Sequence, residues 1–585
     1  MLYLLIISLF TSLFFANDAH ALDEFSIKSN LSYDINQIGD ANVTQEIQLT
    51  NNFSEIYPTE YKINITGSNI QNISAHDNLG NILIQTEQID DTHTIHLKFN
   101  EENIGKNQTT NFNIRYLIKN FAEHKGKTWE VKLPEYQNTQ NDINIELLIP
   151  ESFGKLSFSS IPRPQIAKIS DKLQIKLNQN QIINKKILFT FGNYQLFDFD
   201  LKYHLSNKQN KQILTSIPIP PDNDSQKIII QKIEPQPQNI EVDVDGNWLA
   251  KYVLQANEEI IVSVIGQAKI IGHTIFEENP DTSSLIQEQT YWPVTDSSII
   301  QIANSLTTIK DVYDYVVETL FYNYDIIDQS QRKGAIDALL APDKALCTEF
   351  TDLFVTLLRA KGIPAREIQG FAYTNNPKIK PTNTTADILH AWPQYYDQNK
   401  KIWISVDPTW EKTTNGIDYF NELDFNHFIF VIHGHNSIYP SPAGSYKNNQ
   451  DIKTVKVEFA TQEIPTTNYS LKINTDNNNL IINNPNNYHI TNLNLSLPSI
   501  NWHKNFDILP ANGTITTKLP NLPFLKSIFI KNQKINITVE YNNSDHPTSH
   551  EINYLPHYKN LIIIITVTIV ILATAGILLT LPKKK

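Results

Sequence analysis

Apolar and polar residues alternate in steps of two along most of this chain, and one stretch, from Ser297 to about residue 445, changes to a helical period. Val43-Thr44-Gln45-Glu46-Ile47-Gln48-Leu49 and Phe112-Asn113-Ile114-Arg115-Tyr116-Leu117-Ile118 carry the pattern of half-buried strands. Punctuation such as Asp77-Asn78-Leu79-Gly80-Asn81 supplies the turns between strands. Beyond Ser297, Ile299, Ile300, Ile302, Ala303 and Leu306 fit one helix face. Val312, Tyr313, Tyr315, Val316, Leu320 and Phe321 fit a second. At 585 residues the chain exceeds what one core holds, so this pattern predicts several domains, β-sandwich-like modules around one region with helical content.

The expected order is an N-terminal β-rich region over 22–205 and a second β-rich region or linker over 206–284. The mixed core follows over 285–445, then a β module over 446–555. Ser216-Ile217-Pro218-Ile219-Pro220-Pro221-Asp222 reads as an extended connector, because each proline steers its predecessor away from helix. Ile228–Ile230, Ile240–Val244 and Ile260–Val264 read as strands.

Residues 1–21 read as a signal peptide, with an apolar run ahead of the small-residue site Ala19-His20-Ala21. The uncharged run Leu561 to Leu581 is long enough to cross a membrane as a helix. Lys583, Lys584 and Lys585 then form a basic cytoplasmic tail over 582–585. The expectation is a single-pass cell-membrane protein whose N-terminal ectodomain stands outside the cytoplasm. A net charge of −13 argues against nucleic acid as a partner.

There is one cysteine, Cys347, so no disulfide can form within the chain. Phe350, Leu353, Phe354, Leu357 and Leu358 recur at helical spacing behind it, and Gly362 with Pro364 stops the helix. The helix is predicted over 348–360, with Cys347 at its first turn, where the helix dipole favours a thiolate. Glu349 and Asp352 add negative charge near that end and oppose it.

Downstream, His390–Tyr396 and Lys401–Asp407 flank the turn-like Asp397-Gln398-Asn399-Lys400. Folded as a hairpin about Gln398 and Asn399, Ala391, Pro393 and Tyr395 share an apolar face with Ile402, Ile404 and Val406. His390 then lands opposite Asp407, at a spacing suited to a hydrogen bond. A thiolate, a histidine that moves protons and a carboxylate that orients the ring are the parts of acyl transfer through a thioester.

Cys347-Thr348-Glu349-Phe350 through Ala365-Arg366, with Gly370-Phe371, resembles the nucleophile helix of the transglutaminase-like superfamily. His390-Ala391-Trp392 and Asp407-Pro408-Thr409 resemble its histidine and aspartate motifs, in the same order, and Tyr291-Trp292-Pro293 and Tyr322-Asn323-Tyr324 resemble the start of its core. The resemblance covers roughly 285–445. It implies a papain-like α+β core with Cys347, His390 and Asp407 as catalytic triad, acting on amide bonds of protein or peptide substrates at the cell surface by hydrolysis or transfer. The family also contains members that have lost catalysis, so the alternative is a surface adhesion or scaffold protein with an idle core.

Trp392 and Trp403, on the polar face of the hairpin, are candidates to line the substrate cleft. No cofactor is expected. No metal is expected either: His427, His433 and His435 lack a nearby cysteine and an acidic partner at helical spacing. The resemblance implies the Cys347 backbone N–H as one oxyanion donor; the second is not assigned by the sequence.

Overall fold

A computed structural model describes residues 24–554, apart from 67–68, 90–91, 137–141, 273–281, 328–330, 383–388, 449–451, 477–478, 499–500, 521–532 and 543–545, and also residues 566–574. The chain is mostly β and divides into two compact units. The first comprises residues up to His124 with Trp129–Phe191. Its largest sheet has eight strands, with Phe25–Ile35 pairing in parallel with Asp142–Pro150 and antiparallel with Ala41–Asn51. The expected strands lie in Ala41–Asn51 and Thr109–Lys119, where Val43, Ile47 and Leu49, and Phe112, Ile114 and Tyr116, alternate into the core.

The second unit carries the region of helical period. Ser297–Ser305 (α1) starts at Asp296, whose side chain accepts from Ser298 N–H. Ile309–Thr319 (α2) starts at Thr308, whose hydroxyl accepts from Asp311 N–H while Asp311 reaches back to the backbone of Thr308. Ala335–Leu340 (α3) and Cys347–Ala360 (α4) follow. Ile299 and Ala303 of α1 are buried, but Ile300 is exposed and does not share their face.

A four-stranded antiparallel sheet holds the site. Its strands are Ala365–Ala372 (β1), His390–Asp397 (β2), Ile402–Ser405 (β3) and His427–His433 (β4), in the order β3-β2-β1-β4. Helix α5 (Pro408–Thr414) leaves the end of β3. Tyr395, Ile404 and Val406 pack with Leu353, Phe354 and Leu357 of α4, so the apolar side of the hairpin is the side that meets helices.

The rest of the unit is built around this sheet. Phe371, Phe428 and Phe430 share one core with Phe197, Phe199 and Leu201 of the strand Tyr194–Ser206. That strand pairs on one side with Glu259–Ile271 and on the other with Val455–Phe459. A seven-stranded sheet likewise joins Asn239–Val242 to Trp502–Leu509 through Ile240 and Ile508. Residues before and after the core in sequence therefore complete the same sheets.

The proline-rich stretch expected as a connector is strand as far as Ile219, within Ile213–Ile219. Pro218 is tolerated because this strand is outermost in the seven-stranded sheet, where a missing N–H need cost no ladder bond. Among the described residues no helix is long and apolar enough to cross a membrane. Of the expected span 561–581, residues 566–574 are described and are helical. The remainder of that span, the signal peptide 1–21 and the tail 582–585 lie outside the described residues.

Candidate active site

Cys347 is the first residue of α4 and is half-buried. The first N–H groups of a helix have no partner within it, so this end presents donors and partial positive charge. The acidic residues expected to oppose a thiolate there are already engaged. Glu349 accepts from Leu346 N–H at 3.0 Å and Lys333 N–H at 2.9 Å. Asp352 accepts from Trp292 Nε1 at 2.8 Å and Arg332 Nε at 2.9 Å. Their charge serves the helix start and a buried ion pair. The helix ends at Gly362, whose φ of 75° suits a residue without a side chain.

His390 and Asp407 meet as the sequence predicts, by a different register. Strand β2 pairs Tyr395 with Ile404 and Gln394 with Ser405, two residues away from the expected alignment of Tyr395 with Ile402. The connection takes four residues, 398–401, with Lys401 at a φ of 56° and Asp397 Oδ1 accepting from Asn399 and Lys400 N–H. A slip of two residues keeps every side chain on its face. Strand β3 stops at Ser405, and Asp407 becomes the N-cap of α5, accepting from Trp410 N–H at 2.9 Å through Oδ1, with Pro408 at the first helical position. Its other oxygen, Oδ2, reaches His390 Nε2 at 2.9 Å.

Both partners are buried. Burial disfavours the charged imidazole, but the charge and hydrogen bond of Asp407, together with the Cys347 thiol, outweigh it and raise His390 to about 9. Burial likewise pushes the Asp407 carboxyl up, and His390 and His427 overcome this and hold it at about 2. His390 Nδ1 is buried without a hydrogen-bond partner, while the Cys347 thiol stands near enough to act on the ring. Nε2 is committed to Asp407, and Nδ1 is the ring nitrogen on the side of the thiol. Tyr322 is a further neighbour: burial first, and then the Cys347 charge, raise its phenol.

Sequence reasoning did not place four further residues at this site. Trp410 stacks on the His390 ring, with centroids 5.0 Å apart and planes at 21°. His427 Nε2 stands 3.4 Å from the same Asp407 Oδ2, and its Nδ1 is 2.8 Å from Asp424 Oδ1. Lys380 Nζ lies 3.4 Å from Asp424 Oδ2. Asp407-Pro408 is a readable helix start and could have located Trp410 in the following turn. Nothing local in the sequence ties Asp424 or His427 to His390, because they arrive through the pairing of β1 with β4. The ligand atoms of His390, Asp407 and His427 lie within 4.8 Å of one another, and Asp424, three residues before His427, is the acidic partner expected to be absent.

Trp392 and Trp403, expected at a cleft, are both fully buried. Trp392 packs with Ile368, Ile429 and Ile432 and turns its edge to His427. Trp403 packs with Leu285 and Tyr396, and the Arg366 guanidinium lies 3.8 Å over its ring. His433 and His435 are held elsewhere, His433 by Glu367 and the Pro440 carbonyl, His435 by Asp245 and Ser284.

Residues 297–408 match the family model of the Transglutaminase-like superfamily, a stretch that contains Cys347, His390 and Asp407. No curated protein matches the chain. Among solved structures, a candidate cysteine protease from Cytophaga hutchinsonii is 14% identical, with a TM-score of 0.30, covering 46% of this chain and 86% of that one. The periplasmic domain of TgpA from Pseudomonas aeruginosa is 13% identical, with a TM-score of 0.20, covering 38% of this chain and 91% of that one.

Proposed function

We propose that this chain, whose residues 297–408 form a transglutaminase-like domain, is a cysteine enzyme that cleaves or transfers the acyl group of amide bonds in proteins or peptides. The observation that carries the reading is His390 held at Nε2 by Asp407 and left with a buried, unpartnered Nδ1 beside the thiol at the start of α4.

In this reading the Cys347 proton rests on His390 Nδ1 as a thiolate–imidazolium pair, and the thiolate attacks the amide carbonyl carbon. Backbone N–H groups at the start of α4 face the oxyanion that forms. The imidazolium, steadied by Asp407, then protonates the leaving amine, and a thioester remains on Cys347. His390, neutral again, takes a proton from the incoming acceptor. Water as acceptor releases an acid; an amine gives a new amide. Hydrolysis is the favoured outcome, because no amine-acceptor site was identified in the sequence. The apolar run at 561–581 supports a further part of the reading, that the enzyme is held at a membrane with its substrates outside the cytoplasm.

The test is alkylation of Cys347 by iodoacetamide between pH 5 and 9 in wild type and His390→Ala. Fast modification of wild type near neutral pH, slowed at least tenfold in the variant, is expected. Slow modification that is indifferent to His390 would leave a folded, idle core on an adhesion or scaffold protein.

A further inference from the structure

Two carboxylates close on the two nitrogens of a single buried imidazole. His427 Nδ1 is 2.8 Å from Asp424 Oδ1, and its Nε2 is 3.4 Å from Asp407 Oδ2. Ionised carboxylates only accept hydrogen bonds, so a neutral ring would turn a lone pair toward one of them. Only the doubly protonated ring is attractive on both sides. The Asp407 contact is long for a hydrogen bond, so charge carries most of it.

Oxygen Oδ2 of Asp407 is the same atom that receives His390 Nε2. The two histidine rings are 5.9 Å apart, and Trp410 lies against both, 5.0 Å from His390 and 4.6 Å from His427. We infer that His427 is a positioning residue of this site: a permanent cation that fixes Asp407 ionised and turned toward His390, without touching substrate. The inference rests on the proposed Cys347–His390 chemistry and deepens it.

The charged and titratable groups around His427 come from every neighbouring element. Asp407 caps α5, Asp424 precedes β4 and His390 lies on β2. Lys380 reaches Asp424 from the segment after β1, and the Tyr419 hydroxyl stands 3.5 Å from Asp424 Oδ2. Cys347 lies beyond His390. Asp424 is thus flanked by two cations, Lys380 and His427, and Asp407 by His427 and the proton that His390 takes up. Each carboxylate has a cation when the thiol is still protonated, and His427 is the one that reaches both. Removing that charge raises the pKa of every group near Asp407, so the Cys347 thiol loses its proton only at higher pH.

The experiment measures the pH dependence of Cys347 alkylation in wild type, His390→Ala, His427→Gln and Asp424→Asn, with circular dichroism to confirm folding. His427→Gln is expected to move the acid limb up by about one pH unit. Asp424→Asn, which keeps an acceptor for Nδ1–H but removes the charge that favours the cation, should move it the same way by less. A merely structural His427 would lower the melting temperature and leave the limb in place, which would overturn the inference. Should His427→Gln fail to fold, Asp424→Asn decides alone: an unmoved limb overturns the inference and an upward shift supports it. If His390→Ala alkylates like wild type, the proposed enzyme itself fails. If His390→Ala is slow and neither other variant shifts the limb, only the role of His427 falls.

Discussion

The side chain of Asn247 pairs with the backbone of Ile432 as a neighbouring strand would, accepting from its N–H at 2.7 Å and donating to its carbonyl at 2.8 Å. Gln226 does the same for Ile429, at 2.9 and 3.0 Å. Asp245 accepts from the N–H groups of Gly434 and His435. Strand β4 is the edge of the site's sheet, and three side chains from the preceding β region satisfy the backbone that an edge leaves open.

The first prediction follows from that edge. Asn247→Ala leaves a buried N–H and a buried carbonyl of Ile432 unpaired, at a cost of roughly 2–4 kcal/mol. A urea titration should show the midpoint of the second unit falling, and Gln226→Ala should do likewise. The fragment 285–445 alone would also expose Phe371, Phe428 and Phe430, which share their core with Phe197 and Phe199. It is expected to aggregate on expression. A monomeric, cooperatively unfolding fragment would refute the dependence.

Gly370 gives the second prediction. It pairs with His390 across β2 and with Ile429 across β4, at a register shift between Gln369 and Gly370. A Cβ at this position would lie 2.1 Å from the carbonyl oxygen of Phe428, which is backbone and cannot swing away. Gly370→Ala should therefore force β1 and β4 apart, destabilise by several kcal/mol in the manner of overpacked cores, and slow Cys347 alkylation. Gly272→Ala, where an added Cβ meets nothing within 4 Å, is the control. Equal yields and melting temperatures for the two variants would contradict the argument.

Particular residues show how far the sequence could be read. Cys347 at the start of its helix and the faces of the His390 hairpin follow from local periodicity, which a chain displays without any partner. The alignment of Tyr395 with Ile404 does not, because the loop length depends on Lys401 entering the left-handed region. The error did no harm to the His390–Asp407 prediction, since a slip of two conserves the face and Asp407 makes its contact from a helix cap. Pairings such as Leu201 with Val455 and Ile240 with Ile508 join strands more than 200 residues apart. Each strand's alternation is compatible with many partners, so these stay hidden in a single sequence. The same reason hid His427, which was legible only as one of three histidines.

Stability should depend on pH through the His390–Asp407 pair. His390 is raised to about 9 from an ordinary value near 6.5. Its contribution is complete below about pH 6.5, declines as pH rises and is lost above about 9. The shift corresponds to about 3 kcal/mol. Asp407 is lowered to about 2, so its contribution holds above about pH 4 and disappears only as pH falls through 2. Denaturation of wild type and His390→Ala at pH 6, 7, 8 and 9 should show wild type losing more stability over that range. Parallel curves would mean that His390 does not carry its proton in the folded protein.

Asp407→Asn separates charge from shape. Asparagine can still accept from Trp410 N–H and cap α5, so the fold should survive, with a melting temperature lowered by the loss of the charge that His390 and His427 share. Its amide nitrogen, however, would take the place of Oδ2 and present a donor to His390 Nε2. The ring must then keep Nε2 as acceptor and carry its proton on Nδ1, the nitrogen the thiol needs. The neutral imidazole is left in the wrong tautomer, and the imidazolium loses its counter-charge. Alkylation of Cys347 at pH 7 should fall by about 100-fold, within the usual range for loss of general-base assistance. It should recover above pH 9, where a thiol ionises without help. Wild-type speed at pH 7 in a folded Asp407→Asn protein would remove Asp407 from the proposed chemistry and leave it as a helix cap.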